Sequence, residues 1–346
     1  TLSPSSAASD VYKRQENKMT KLLKVHGSQN SFFILDQTEL ENPLTDNELR
    51  QLTQTLTDHK TGLLGGADGI LSVEEASHPG VLGKMRVINA DGSEASMCGN
   101  GLRTVARYLH EKTGESQFKV ETMYADLAVR QADDFAEGVP AFGVEISPVR
   151  FNKESLPFDN LGHDRLLDTL VPELVPGWRF SALAVPNPHL IAFIKEEDLE
   201  SPVLGELGAY LNGENPYFSD GVNINYTVIR GDSQLFVRTY ERGVGFTNAC
   251  GTGMSASSLA FALTHPDLGH FEKEISVYNP GGMVKTVLHQ KDHGYWIELI
   301  GNATETHTIE IPEDQLHSGQ VKLEAVKTKE TGEQAAYLAF VDQLTK

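Results

Sequence analysis

Two segments of this chain repeat one another, and that repeat constrains the fold more than any other feature. The first runs from a strand-like stretch (MRVIN) through a loop (ADGSEASM) into Cys98-Gly99-Asn100-Gly101. The second runs from QLFVRTY through ERGVGFTNA into Cys250-Gly251-Thr252-Gly253. Both continue with helical period. Leu102, Val105, Ala106 and Leu109 fall at i, i+3, i+4 and i+7, as do Ala256, Leu259, Ala260 and Leu263. The two cysteines are 152 residues apart, which is about one domain length, and the chain has no others. The pattern predicts two related domains, each presenting one thiol at a strand–loop–helix junction.

A cysteine just before a helix feels unpaired N–H groups and the positive end of the helix dipole, which favour thiolate. Glycines on either side of the next residue let the backbone fold into a nest of N–H donors for an anion. Each copy therefore offers a base or nucleophile beside a cradle for a carboxylate or phosphate. The bland alternative is an inert cysteine in a core. Its recurrence at both cysteines in the same frame favours chemistry instead. Two thiols in matching frames suit a symmetric task, in which one removes a proton from one face of a carbon and the other returns one to the opposite face. That inverts a stereocentre without a cofactor, provided N–H donors hold the carbanion's charge on the adjacent carboxylate.

Composition removes other classes. With 346 residues, two domains are expected. The 48 acidic residues outnumber the 29 basic ones, for a net charge of −19, which disfavours nucleic acid and anionic membrane surfaces as partners. No apolar run approaches the roughly 18 residues of a membrane span. The most apolar region, 180–194, is interrupted by Pro186, Asn187, Pro188 and His189. Two cysteines exclude a disulfide-stapled scaffold and a cysteine-rich zinc site. His289 and His293 have i, i+4 spacing, but Gly294 and the strand-like run after it argue for a turn, and no third ligand is evident, so no metal is expected. A soluble, cytoplasmic protein is the expectation.

The opening TLSPSSAASDVYKRQENK is polar and without period, and reads as a disordered upstream remnant over 1–18. Strands are expected near 22–25, 32–35, 86–88, 118–120, 141–146, 190–194, 227–229 and 235–240. Helices are expected over 46–57, 102–109, 256–263 and 164–170. The Pro- and Asn-containing stretch 147–160 marks the interdomain boundary. The domains are then 19–146 and 147–311, followed by a C-terminal extension, 312–346.

From Met19 to about Ala303 the chain resembles diaminopimelate epimerase. The resemblance rests on His26-Gly27 with Asn30 and Phe32, Gly66-Ala67-Asp68-Gly69, the run Asn89 to Glu94 (NADGSE), and Met97 with the first cysteine loop. It continues through Asn187-Pro188-His189, Asn223-Ile224-Asn225, Glu241-Arg242-Gly243, Ala249 with the second cysteine loop, and Pro280-Gly281-Gly282. It implies an α/β (α+β) fold of two pseudo-symmetric domains, each a mixed sheet wrapped around a central helix, with the site in the cleft between them. It implies Cys98 and Cys250 as the acid/base pair, with His189 and Glu241 beside them. Asn30, Asn89, Asn187, Asn223 and Arg242 would hold the distal amino-acid end of the substrate, and Glu241 belongs to the same substrate-binding set. Gly99, Asn100, Gly251 and Thr252 would bind the reacting end. It also implies no cofactor, a small-molecule substrate and a homodimer. Asn amides both donate and accept, which suits a zwitterion, and Arg242 suits a carboxylate.

Two alternatives remain at this point. Proline and hydroxyproline racemases share the two-thiol logic, although their first loop reads Cys-Gly-His and a small imino acid would not use the distal Asn set. A non-enzymatic anion-binding module could use the glycine loops alone, although 80–85 lacks the hydroxyl and spacing of a phosphate loop. Ser31 (usually Asp), Pro186 (usually Gly), Phe246 (usually polar) and the long C-terminus depart from the family pattern.

Overall fold

The computed structural model describes residues 18–292 and 294–344. The first half holds β1 (Met19–Gly27), β2 (Asn30–Asp36), β3 (Gly69–Glu74), β4 (Gly83–Asn89), β5 (Glu94–Ala95), β6 (Gln117–Glu121), β7 (Asp126–Ala136) and β8 (Val139–Ile146). Helix α1 (Asp46–Thr57) lies between β2 and β3, and α2 (Gly99–Thr113) between β5 and β6. After β9 (Thr169–Leu170) the order recurs as β10 (Arg179–Ala184), β11 (Pro188–Phe193), β12 (Asn223–Gly231), β13 (Gln234–Glu241), β14 (Gly245–Thr247), β15 (Glu274–Asn279), β16 (Gly282–Lys291) and β17 (Gly294–Asn302). Helices α3 (Pro202–Leu211) and α4 (Gly251–Thr264) occupy the same places as α1 and α2.

The pairings recur too. In the first half β1–β2 is antiparallel, β2–β3 parallel, β3–β4 and β4–β5 antiparallel, β4–β6 parallel, and β6–β7–β8 antiparallel. Strands β10 to β17 follow the same sequence of pairings. The halves join where β8 pairs with β17. The last segment, β18 (Thr304–Pro312), α5 (Glu313–Ser318), β19 (Lys327–Glu330) and α6 (Glu333–Leu344), crosses back to the first half, where β18 pairs with β1. The expectation for 1–18 concerns residues outside those described, except Lys18, whose carbonyl accepts the Glu313 N–H at 2.8 Å.

Local chemistry accounts for the helices. Thr45 and Glu48 form a reciprocal capping box at the start of α1, whose Leu49, Leu52 and Leu56 are buried. Helix α2 stops at Gly114, which adopts the left-handed conformation at φ 82°. Both α2 and α4 run through the main core, where Leu102, Val105, Met254 and Leu259 are fully buried. The expected helix over 164–170 is absent. Asp168 has a left-handed φ of 46°, and Thr169 and Leu170 instead pair as an edge strand with β10. Helix α3 carries little sequence signal, because Gly205 and Gly208 dilute its propensity. Gly208 is there for space, since a Cβ would run into the Tyr240 ring.

Candidate active site

The two thiols occupy the same structural position. Cys98 is the N-cap of α2, and its sulfur accepts the Gly101 N–H at 3.4 Å. Cys250 is the N-cap of α4, and its sulfur accepts the Gly253 N–H at 3.4 Å. Both line one cleft of about 480 Å³, within the ~300–1,000 Å³ range of small-molecule sites. The first-turn N–H groups of two helices therefore meet at this cleft. The loop glycines differ from expectation in their reason. None of the four has positive φ. A Cβ at Gly101 would lie 2.8 Å from Leu71, and one at Gly251 would lie 2.8 Å from Leu299. They are small so that the helix ends can close onto the strands behind them.

Electrostatics differs from the sequence expectation as well. Burial pushes both thiols above their ordinary pKa, outweighing the N–H groups at the helix ends that pull the other way. The Glu241 carboxylate adds to that rise at both sulfurs, and it takes a hydrogen bond from the Cys250 thiol. Its own pKa is raised by burial, against hydrogen bonds from Thr247, at 2.6 Å, and from Cys250. The Cys98 thiol donates to Asn30 Oδ1 at 3.5 Å. Burial thus favours the protonated thiol at both positions.

His189 is fully buried and outside the cleft wall, with its pKa depressed to about 3 by burial and then by the Arg242 charge. It is neutral. Asn225 Nδ2 donates to its Nδ1 at 3.0 Å, and Asn225 Oδ1 accepts from Thr239, which fixes that amide's orientation. The ring proton is therefore on Nε2, facing Asn187 Oδ1 at 3.1 Å and Thr252 Oγ1 at 3.0 Å. The Thr252 hydroxyl in turn stands 3.5 Å from the Cys250 sulfur.

The cleft brings together Asn30, Cys98, Gly99, Asn100, Asn187, Glu241, Arg242, Cys250, Gly251 and Thr252. It does not bring in Asn89, whose side chain donates to Ser93 Oγ at 3.0 Å. Nor does it bring in Asn223, which is buried and receives the Arg242 N–H at 2.8 Å, holding the start of that turn. Arg242 itself donates to the Asp220 carbonyl at 3.0 Å. Asp68 is a residue the sequence reading quoted without a role. Its Oδ2 accepts both Asn30 Nδ2 at 2.7 Å and Ser31 N–H at 2.8 Å, so a carboxylate serves the loop where Ser31 stands in place of the usual Asp. Ser96, Met97, Tyr124 and Pro186 also line the cleft. Phe246 packs on Tyr240 with ring centres 5.2 Å apart and lies under the Arg238 guanidinium. His289 stacks on Trp296 at 3.9 Å and bonds Glu272, while His293 lies outside the described residues.

The sequence profile of one family, Diaminopimelate epimerase, matches residues 22–143 and 181–305. The chain belongs to that family. It is 56% identical over 326 residues to the diaminopimelate epimerase of Ligilactobacillus salivarius (strain UCC118), covering 94% of this chain and 99% of that protein. It is 54% identical over 324 residues to that of Enterococcus faecalis (strain ATCC 700802 / V583), covering 93% and 98%. Because those matches take in so much of this chain, they reach into the segment after residue 305. Among solved structures, the phenazine biosynthesis protein of the PhzF family from Bacillus anthracis has the same fold, with a TM-score of 0.60 at 15% identity, over 85% of this chain and 99% of that one. Among the described residues, no helix is long and apolar enough to cross a membrane.

Proposed function

We infer that the protein interconverts LL-2,6-diaminopimelate and meso-diaminopimelate by moving a proton at one α-carbon between two cysteines. The observation that carries this is the pair of N-cap thiols, Cys98 and Cys250, lining one cleft in a chain of the diaminopimelate epimerase family. One sulfur, as thiolate, removes the α-proton. The other, as thiol, delivers its proton to the opposite face. The first-turn N–H groups of α2 and α4 take up the charge that develops on the α-carboxylate. Closing the cleft matters because a thiolate is a weak base for so weak a carbon acid, and placement has to supply much of the rate.

Asn30, Asn187 and Arg242 supply the donors and acceptors for the distal ammonium and carboxylate. Glu241 holds the proton of Cys250 in place, and His189 acts as a positioning residue through Thr252. Asn223 supports Arg242, and Asn89 shapes its turn. The distal set favours diaminopimelate over proline, which has no second amino-acid end. We place the enzyme in the cytoplasm as a homodimer, on the strength of its family.

The test is epimerisation of LL-diaminopimelate in deuterated water under reducing conditions. Early product is expected to carry deuterium at the inverted centre while remaining substrate carries little, because the donor's hydrogen comes from solvent. Cys98→Ala and Cys250→Ala are each expected to lose epimerisation, since general acid–base steps are worth about 10²–10⁴-fold each. Efficient turnover by either variant, or product that retains its hydrogen, would overturn the two-base reading.

A further inference from the structure

The C-terminal helix α6 lies outside the repeat and docks across both halves. On the first half, Glu333 accepts from Arg107 of α2 at 2.6 and 2.8 Å, and Gln334 meets His26 of β1 at 2.8 Å. One turn further on, Tyr337 is wholly buried, with its ring edge-on to that of His26 and the centres 4.8 Å apart. Its hydroxyl donates at 2.5 Å to the carbonyl of Gly281, which lies in the second half at the turn between β15 and β16. Burial pushes the phenol up to about 12, so it remains a donor at working pH.

That turn stands directly behind the second cysteine. The Gly281 N–H donates to the carbonyl of Asn248, two residues before Cys250, at 2.9 Å, and to Asn279 Oδ1 at 2.8 Å. Asn279 Nδ2 in turn donates to the sulfur of Met254 on α4 at 3.2 Å. The turn therefore grips the Cys250 loop on one side and the helix that Cys250 caps on the other. From the first half, Gln29 Nε2 also donates to the Gly281 carbonyl, at 3.4 Å, next to Asn30 of the cleft. The space is fitted closely. A Cβ at Gly281 would lie 2.8 Å from the Ser28 carbonyl oxygen and 3.2 Å from that of Asn248, and one at Gly282 would lie 2.5 Å from the Tyr337 hydroxyl. Only glycines here admit both the phenol and the first-half loop. The matching turn of the first half, 122–125 between β6 and β7, is open, with Tyr124 82% exposed.

We propose that Tyr337 is a positioning residue that acts on Cys250 through Gly281 and Asn248, fixing the second cysteine loop against the first half so that both sulfurs face the same carbon. The C-terminal helix then serves the reaction itself as well as stability. This rests on the reading that both thiols serve one carbon. Asn187 and Arg242 are not on the path from Tyr337 to Cys250, so loss of the phenol leaves the substrate held and slows proton transfer. Small shifts are costly at this point, since a displacement of about 1 Å can cost about 100-fold in rate.

The experiment compares Tyr337→Phe with Phe340→Leu in the full-length protein. Phe340 belongs to the same apolar cluster and offers no hydrogen bond. Tyr337→Phe is expected to lower kcat for LL-diaminopimelate about tenfold and to keep KM within about twofold. Phe340→Leu is expected to lower the melting temperature and hold kcat. Without substrate, iodoacetamide should label Cys250 about fivefold faster in the Tyr337→Phe variant, the local opening gained when one hydrogen bond is lost, with Cys98 labelled at an unchanged rate. Unchanged kcat together with unchanged Cys250 labelling in that variant would overturn the proposal. So would an equal loss of kcat in both variants, which would mark a merely structural role. In the unmodified protein the Gly281 amide is expected to exchange its hydrogen as slowly as the middle of α4, and exchange at the rate of an open loop would overturn the proposal even if Tyr337→Phe failed to fold. An absence of epimerisation by the unmodified protein, with the labelling difference as expected, would instead sink the function inferred above and not the tie from Tyr337 to Cys250.

Discussion

Thr252→Val changes one atom in the relay behind Cys250. Its hydroxyl oxygen lies between His189 Nε2 at 3.0 Å and the Cys250 sulfur at 3.5 Å. With the imidazole proton on Nε2, the hydroxyl accepts from His189 and its own hydrogen is free to point at sulfur. That bond strengthens as Cys250 gives up its proton and becomes thiolate. A hydrogen bond to a charged group contributes about 1.5–3 kcal/mol, and 1.36 kcal/mol corresponds to one pKa unit. Valine keeps the shape and removes the bond, so the Cys250 pKa should rise by about one to two units, and kcat should fall about 10- to 100-fold. His189 Nε2–H keeps Asn187 Oδ1 at 3.1 Å, so the change should leave the fold intact. The assay is kcat against pH with LL-diaminopimelate, alongside alkylation of Cys250. Thr252→Ser should recover most of the rate. A Val variant with unchanged kcat and an unchanged Cys250 midpoint would refute the relay.

Two further outcomes concern stability. His26 is held neutral with its pKa near 4, chiefly by burial, against an ordinary 6.5. The unfolded chain therefore binds this proton first, so the contribution of His26 is complete above about pH 6.5, declines as pH falls, and levels off below 4. At pH 5 the loss is about 2 kcal/mol, and urea denaturation of His26→Gln should show a pH 7.5-to-5 drop smaller by about that amount; equal drops would contradict it. Glu333 at the start of α6 takes two bonds from Arg107, at 2.6 and 2.8 Å, and the Glu305 N–H at 2.9 Å. Glu333→Gln should cost about 2 kcal/mol, below the value for a fully buried pair because Arg107 keeps Glu111, and an unchanged melting temperature would show that α6 is not fastened there.

The site was more legible than its surroundings. Both cysteine helices, α1 and most strands could be placed because period, capping residues and turn chemistry act locally. Asn89 and Asn223 could be named but not located, since the sequence marks a polar residue at a loop without saying which way its amide turns. The upward pull of burial on the thiols was not readable, because desolvation depends on what closes over a helix end rather than on the end itself. Asp68 had a signal, a carboxylate in a glycine-bounded turn, but only the fold brings it to Asn30. Tyr124 had none. The extension after residue 311 gave no period strong enough to reveal α6, whose anchors Arg107, His26 and Gly281 lie far away in sequence.

The repeat and its violations serve different parts of the chemistry. Two copies of one strand–loop–helix unit, joined through β8 and β17, set two N-cap sulfurs and two rows of N–H groups around a single cleft. Symmetry of that kind is what a proton needs in order to leave one face of a carbon and arrive at the other. Each direction of the reaction needs one sulfur as thiolate and the other as thiol, so the two exchange roles when it runs in reverse. The copies nevertheless differ in the polar groups around each sulfur. Asn89 stands opposite Glu241, Asn100 opposite Thr252 and Arg103 opposite Ser255, while the glycines and the capping bonds remain the same. Backbone identity places the two sulfurs alike, while the unequal neighbours give each of them a different polar surrounding.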